Sequence, residues 1–241
     1  MALINKLKAI ADVIRGKIGQ TATMTMDEMV AEIEALPSTA VEDALINNDW
    51  SEIGHYSNSR IISLKNQAFR GAVGLAEVSF LNATSIGEYA FYDCESLEKV
   101  ECPLIETAGT RVLAYCDSLR NIEFPKLKVV EDYAFSHCSN AKKIVLNSVE
   151  TINDRAFQGC YSLTALIISQ SSSTCILSTP NCFIRCYHIL GTQYDTYNPG
   201  GLKDGYIYVP DSLVDSYKSA TNWSAFASQI KGLSELPEEF Q

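Results

Sequence analysis

An α+β solenoid of short parallel strands, with helices at both ends, is the fold this sequence predicts, and three observations predict it. The first is a period: Phe69, Phe91, Leu113, Phe135 and Phe157 follow one another at 22-residue intervals. The second is that other apolar columns keep that period. One runs through Leu64, Ile86, Ala108, Val130 and Ile152, another through Leu75, Leu97, Leu119, Ala141 and Leu163. The third is alternation. Val78, Val100, Ile122, Ile144 and Leu166 form a column, and Phe80, Cys102, Phe124, Leu146 and Ile168 follow two residues later. Such alternation marks a strand. Self-similarity at this period marks a solenoid, in which no coil buries its apolar face alone and stacking does so.

The elements follow in chain order. Residues 1–37 predict a helical hairpin. Leu3, Leu7, Ile10 and Ile14 give a first helix a narrow apolar stripe, ended by Gly16 and Gly19. Thr25 to Glu28 reads as a capping box, and Met26, Met29, Val30, Ile33 and Leu36 mark a second helix that Pro37 stops. Two helices this short are not stable alone. The hairpin therefore either caps the first coil, docks on another protein or self-associates. Residues 38–60 read as a polar, irregular lead-in, with Trp50 and Tyr56 inward and His55 at the surface.

Five coils occupy residues 61–170, with one short strand per coil near 77–81, 99–103, 121–125, 143–147 and 165–169. Parallel stacking puts successive coils about 4.8 Å apart. Residues 171–241 read as a degenerate last coil and a helical cap. A long excursion passes through Pro180, Pro199, Gly200 and Gly201. Ile207 and Val209 alternate as the last strand. Pro210 with Asp211 or Ser212 opens a helix whose inner face is Leu213, Val214 and Tyr217. Asn222 caps a second helix, with Trp223, Phe226 and Ile230 inward.

Of the chain's 241 residues, 46% are apolar and 20% charged, ordinary for a globular protein. The net charge of −10, without a basic run, argues against nucleic acid and anionic membranes as partners. No stretch approaches the ~18 apolar residues of a membrane span. The N-terminal apolar residues are interrupted by Lys6, Lys8, Asp12 and Arg15, so no secretory core is formed. Unless a leader has been removed, the chain is expected to be made in the cytosol or to leave by another route.

The sequence has 8 cysteines. Cys94, Cys116, Cys138 and Cys160 keep the repeat period, and Cys182 extends it numerically. They read as reduced, buried thiols acting as small hydrophobes. A straight column does not converge four sulfurs on zinc, and Cys175, Cys182, Cys186 and His188 fit no standard ligand spacing. Neither a metal nor a cofactor is expected. No nucleophile elbow, zinc-helix motif, P-loop or dinucleotide glycine pattern occurs, so the chain reads as a non-enzyme.

Ile86 to Pro103 spell I-G-x-x-A-F-x-x-C-x-S-L-x-x-V-x-x-P, and this string resembles the BspA-like (Treponema pallidum-type) leucine-rich repeat. Departures are Val112-Leu113 for Ala-Phe, Asn140-Ala141 for Ser-Leu, and Ala72 for Cys. The stretch from Gly205 to Phe226 is similar to the end of such arrays in Gram-positive proteins. The resemblance implies a right-handed leucine-rich-repeat solenoid that serves protein interaction or adhesion. The segments L-x-x-I-A-D-V-I-R-G-K-I-G and M-T-M-D-E-M-V-A-E-I, within the first 36 residues, resemble the start of Gram-positive phage and prophage tail or baseplate proteins. Two functions follow from the two resemblances. One is a virion component, cytoplasmic before assembly. The other is a cell-surface or secreted adhesin that binds a host protein or glycan. The N-terminal match and the missing leader tilt the sequence reading to the virion.

Two surfaces are candidates for partner binding. One row reads Gln67, Tyr89, Arg111, Tyr133, Arg155, and coil stacking would set each arginine between tyrosines as a cation–π ladder. The outward strand positions form two more rows: Ser79, Glu101, Glu123, Val145, Ile167, and Glu77, Lys99, Asn121, Lys143, Ala165. The early positions are charged and mixed, the late ones apolar. An outward Val145 and Ile167 require cover, from later residues of the same chain or from a partner.

Overall fold

The computed structural model describes residues 54–170, 172–190 and 204–240. The expected hairpin at 1–37, Trp50 with most of the lead-in, and Pro199 to Gly201 lie outside the described residues.

Each coil carries two short parallel strands rather than the one expected. The first series is β1 (His55–Ser57), β3 (Glu77–Ser79), β5 (Lys99–Glu101), β7 (Asn121–Glu123), β9 (Lys143–Val145) and β11 (Ala165–Ile167). The second is β2 (Ser63–Leu64), β4 (Ser85–Ile86), β6 (Thr107–Ala108), β8 (Val129–Val130), β10 (Thr151–Ile152) and β12 (Ile176–Leu177). Register follows the repeat: Val78 faces Val100 and Ile122 faces Ile144. The lead-in already ends in a coil, because β1 pairs with β3. Tyr56 there faces Val78, and its ring lies 5.5 Å from Phe69 and 5.7 Å from Phe80.

The core is the phenylalanine column. Phe69, Phe91, Leu113, Phe135 and Phe157 are fully buried. Phe69 stacks on Phe91 at 5.2 Å and Phe157 on Phe183 at 5.2 Å. Phe183 comes 26 residues after Phe157, so the sixth coil carries an insertion. That insertion corrects the thiol register. Cys186, not Cys182, continues the column: its Sγ donates to Phe157 O at 2.8 Å, as Cys160 Sγ donates to Phe135 O at 3.1 Å.

Two turn positions per coil are left-handed. One is the row from Gln67 to Arg155, at φ of 53–62°. The other is Gly71, Asp93, Tyr115, His137 and Gly159, at φ of 58–73°. Most are not glycine, and each such residue costs roughly 1–2 kcal/mol. Main-chain bonds to the next coil offset that cost: Tyr89 N donates to Thr110 O at 3.0 Å and Tyr115 N to Ser136 O at 2.9 Å.

Both strand ladders weaken at the same step. The first series divides between β5 and β7, and the second thins between β6 and β8 to a single main-chain bond, Lys128 N to Glu106 O at 3.2 Å. Residues 98–102 make no main-chain hydrogen bond to residues 120–124. At the flanking steps Glu98 N donates to Ala76 O at 2.7 Å and Lys142 N to Arg120 O at 2.8 Å. The turn edge stays tied, with Arg111 N to Asp132 O at 3.1 Å and Leu113 N to Ala134 O at 2.9 Å. This coil is under-filled: Cys102 stands where its neighbours have Phe80 and Phe124, and Ala108 where they have Ile86 and Val130. Smaller side chains hold the strands less firmly.

After α1 (Tyr187–Leu190), β13 (Tyr206–Val209) joins β11 and β14 (Ile230–Gly232) joins β13, so Ile207 and Val209 do not form the last strand. Pro210 precedes a 3-10 turn and α2 (Val214–Ser219). The expected second helix is 3-10 over Trp223–Gln229, and Ile230 lies in β14. Asn222 does not cap it. Its amide donates instead to Leu177 O at 2.7 Å and Ser178 O at 3.1 Å. Trp223 Nε1 donates to Cys175 O at 2.8 Å, and Tyr217 Oη accepts from Cys175 N at 3.0 Å. These bonds satisfy the polar atoms that the cap buries.

Candidate interaction surfaces

The first surface is the turn edge. The Arg111 guanidinium carbon lies 5.7 Å from the Tyr89 ring centroid and 4.5 Å from that of Tyr133. Arg155 lies 5.5 Å from Tyr133. Arg111 also donates to Tyr89 Oη at 2.7 Å, and Arg155 donates to Tyr133 Oη. The ladder predicted from the sequence is therefore present. A second line of rings runs beside it. Tyr92 meets Tyr115 edge-on at 5.4 Å, Tyr115 stacks on His137 at 4.6 Å, and Tyr161 stacks on Tyr187 at 5.3 Å. Tyr115 and His137 share a column, but Tyr92, Tyr161 and Tyr187 do not belong to it, so the repeat marks only part of this line. Burial holds the His137 pKa below its usual value, with Arg185 adding to this and Asp117 opposing. On this edge Arg111, Tyr89 and Tyr133 pack on one another, while Tyr115 stays 39% exposed and the Arg155 side chain 40% exposed. The edge is a stacking spine.

The second surface is the strand face. Glu77, Lys99, Glu101, Asn121 and Glu123 are exposed. Lys99 pairs with Glu101 at 3.7 Å and His55 Nδ1 meets Glu77 at 3.2 Å at the surface, while Glu123 pairs at 3.0 Å with Lys143, which is only 18% exposed. An exposed pair such as Lys99–Glu101 contributes about 0–1 kcal/mol and gives way readily to a partner. A cleft of about 580 Å³ opens here at the interrupted step, lined among others by Glu98, Lys99, Val100, Arg120 and Asn121. Burial pushes the Cys102 thiol beside it up to about 12, which keeps it neutral and a poor nucleophile.

The late end of this face is closed, which corrects the candidate surface. Ile167 is only 6% exposed and Ala165 is fully buried. With Tyr208 they form an apolar cluster on which Val145, Tyr206, Leu233, Leu236 and Phe240 pack. The cover comes from the same chain. Of the predicted surface residues, Lys99, Glu101 and Glu123 remain open, Val145 and Lys143 are half-buried, and Ile167 is withdrawn.

Among the described residues no group of three or more His, Cys, Asp or Glu is placed to hold a metal ion. His188 Nδ1 meets Asp204 Oδ1 at 2.5 Å rather than a thiol. Among the same residues no helix is long and apolar enough to cross a membrane.

The family described as "BspA type Leucine rich repeat region" matches residues 62–189 in six copies. A Treponema pallidum leucine rich repeat protein is 29% identical, with 48% of this chain and 58% of that one covered and a TM-score of 0.46. A leucine-rich repeat protein from Eubacterium ventriosum is 23% identical over 61% of this chain and 40% of that one, TM-score 0.49. A leucine rich cell surface protein from Faecalibacterium prausnitzii is 21% identical over 56% and 46%, TM-score 0.42. The chain spans less than two thirds of the length of each of these structures. No curated protein matches it.

Proposed function

Since this chain belongs to the BspA type leucine rich repeat family, its repeats filling residues 62–189, we propose that it is a non-enzymatic binding scaffold. Its setting in this reading is the bacterial cell surface, where it acts as an adhesin for a host protein or glycan. One observation carries the choice of face. Arg111 on the turn edge is packed between Tyr89 and Tyr133, whereas Lys99, Glu101, Asn121 and Glu123 on the strand face are exposed, and the Lys99–Glu101 pair is a loose surface one. The cleft at the interrupted step adds concavity to that charged surface. The virion reading rests on the first 36 residues alone, outside both the family match and the described residues.

Labelling intact producer cells with an antibody to residues 54–240 tests the setting. Surface labelling that protease shaving removes supports the adhesin. Labelling confined to purified phage particles supports the virion component instead.

A further inference from the structure

The late half of the strand face lies under its own chain. Past Gly232, residues 233–240 leave the sheet as two 3-10 turns, Leu233–Glu235 and Glu238–Phe240, joined through Pro237. Leu233, Leu236 and Phe240 lie over Ala165, Ile167 and Tyr208. The patch beneath is sealed, with Tyr208 at 2% exposure, while the three covering side chains stay partly exposed.

Three features distinguish this cover from core. The cluster it makes is separate from the continuous core through the phenylalanine column, because Ala165, Ile167 and Tyr208 sit on the other side of the sheet. Its main-chain bonds at Leu236 N to Leu233 O, 3.1 Å, and Phe240 N to Pro237 O, 3.0 Å, close turns inside the segment. Short 3-10 turns of this kind have little stability of their own. Ser234 ties the start to Asp211, with its Oγ 2.5 Å from Asp211 Oδ1. Ser234 N also donates to Asp211 Oδ1 at 3.4 Å, Glu235 Oε1 accepts from Gly232 N at 3.3 Å, and farther along Leu236 and Phe240 pack on the patch.

The segment also shows what the patch accepts: apolar side chains at 233, 236 and 240, with carboxylates at 235, 238 and 239 between them. Cations flank the patch. Lys231 Nζ stands 3.6 Å from the Tyr206 ring centroid and 4.0 Å from Glu235 Oε2. Lys143, 18% exposed and paired with Glu123 at 3.0 Å, stands beside Ala165 at the far edge of the patch, so an acidic ligand would have to displace Glu123 from it. Apolar anchors between lysines suit an acidic peptide.

We propose that residues 233–240 are a displaceable strap seated in a peptide groove, and that the groove's external ligand is a short acidic peptide with apolar anchors spaced as in the strap. This rests on the strand face being the binding face. Tethering gives the strap an effective concentration of about millimolar, so an external peptide binds only as far as it outcompetes the strap.

The test uses the full chain and a fluorescein-labelled synthetic peptide of residues 231–240. The double variant Leu236→Ser with Phe240→Ser should keep its circular dichroism spectrum. It should bind the peptide about tenfold more tightly than the unaltered chain. Adding Ile167→Asp should abolish that binding. A folded double variant with no binding up to about 1 mM peptide overturns the proposal. Should the double variant not fold, Leu236→Ala replaces it, and loss of folding there too overturns the proposal by making the segment core. Such failure leaves the strand-face reading standing, because Lys99 and Glu101 lie outside the groove and are tested apart from it.

Discussion

The guanidinium of Arg111 stands 4.5 Å from the ring centroid of Tyr133, one coil away. It ties the turn edge at the step where both strand ladders weaken. Arg111→Ala should lower stability by about 1 kcal/mol, the range for exposed cation–π contacts. Arg111→Lys should recover only part, because an ammonium lacks the planar fork. Urea denaturation measures both, and an unchanged midpoint for the alanine variant would make the row an ordinary solvated ridge.

Phe135 is fully buried between Phe124, at 5.9 Å, and Phe157, at 5.9 Å. Phe135→Ala should cost about 3–5 kcal/mol through lost burial and the cavity left behind. Because each coil is stabilised by its neighbours, denaturation should lose cooperativity as well as midpoint. A loss below about 1 kcal/mol would mean that the column does not carry the core.

All eight cysteines are buried and free, and the column thiols donate to carbonyls, as Cys94 Sγ does to Phe69 O at 3.0 Å. Folded protein at pH 8 should not react with Ellman's reagent, whereas denatured protein should release all eight equivalents. A disulfide between any two column thiols, found by mass spectrometry, would contradict this. Burial pushes the Cys102 and Cys175 thiols up to about 12 from the ordinary 9.0. The sign follows. Below pH 9 both states keep the thiols protonated, and the stability linked to them is fully present. Between pH 9 and about 12 the unfolded state gives up protons that the folded state retains, so stability falls with rising pH. Alanine at both positions should make that alkaline limb shallower, the rest coming from the other buried thiols, Cys116, Cys138, Cys182 and Cys186 among them.

The amides of Cys102, Arg120 and Asn121 lack the inter-coil acceptors that Phe80, Lys142 and Lys143 have. Hydrogen exchange at the first three should run faster than at the second three, because opening there breaks fewer bonds. Filling the coil with Ala108→Ile should slow it. Equal protection across all six amides would show an unbroken ladder.

Much of the scaffold was legible because burial in a solenoid recurs at fixed intervals. Phe91, Phe135, Leu97 and Val130 are each read from their column alone. The second strand series escaped notice because Ser85–Ile86 and its equivalents are two residues long, too short for alternation to register. The left-handed turns at Tyr89 and Arg111 escaped because inter-coil hydrogen bonds, not glycine, hold them. Cys182 kept the numerical spacing, but the insertion before Phe183 moved the column to Cys186. At the candidate site, the outward Val145 and Ile167 signalled that something covers the face. Which segment does so depends on a return path over the sheet that no period encodes.

The central claim is that the exposed charges of the strand face bind the partner and the turn edge does not. The most direct measurement is adhesion of the purified chain to immobilised host extracellular proteins and glycans, made in parallel for two variants. One reverses Lys99→Glu, Glu101→Lys and Glu123→Lys, and the other carries Arg111→Ala with Arg155→Ala. The account predicts that adhesion is lost in the first and retained in the second, with both folded by circular dichroism. Adhesion that survives the strand-face reversals, or that disappears with the turn-edge arginines, would contradict it.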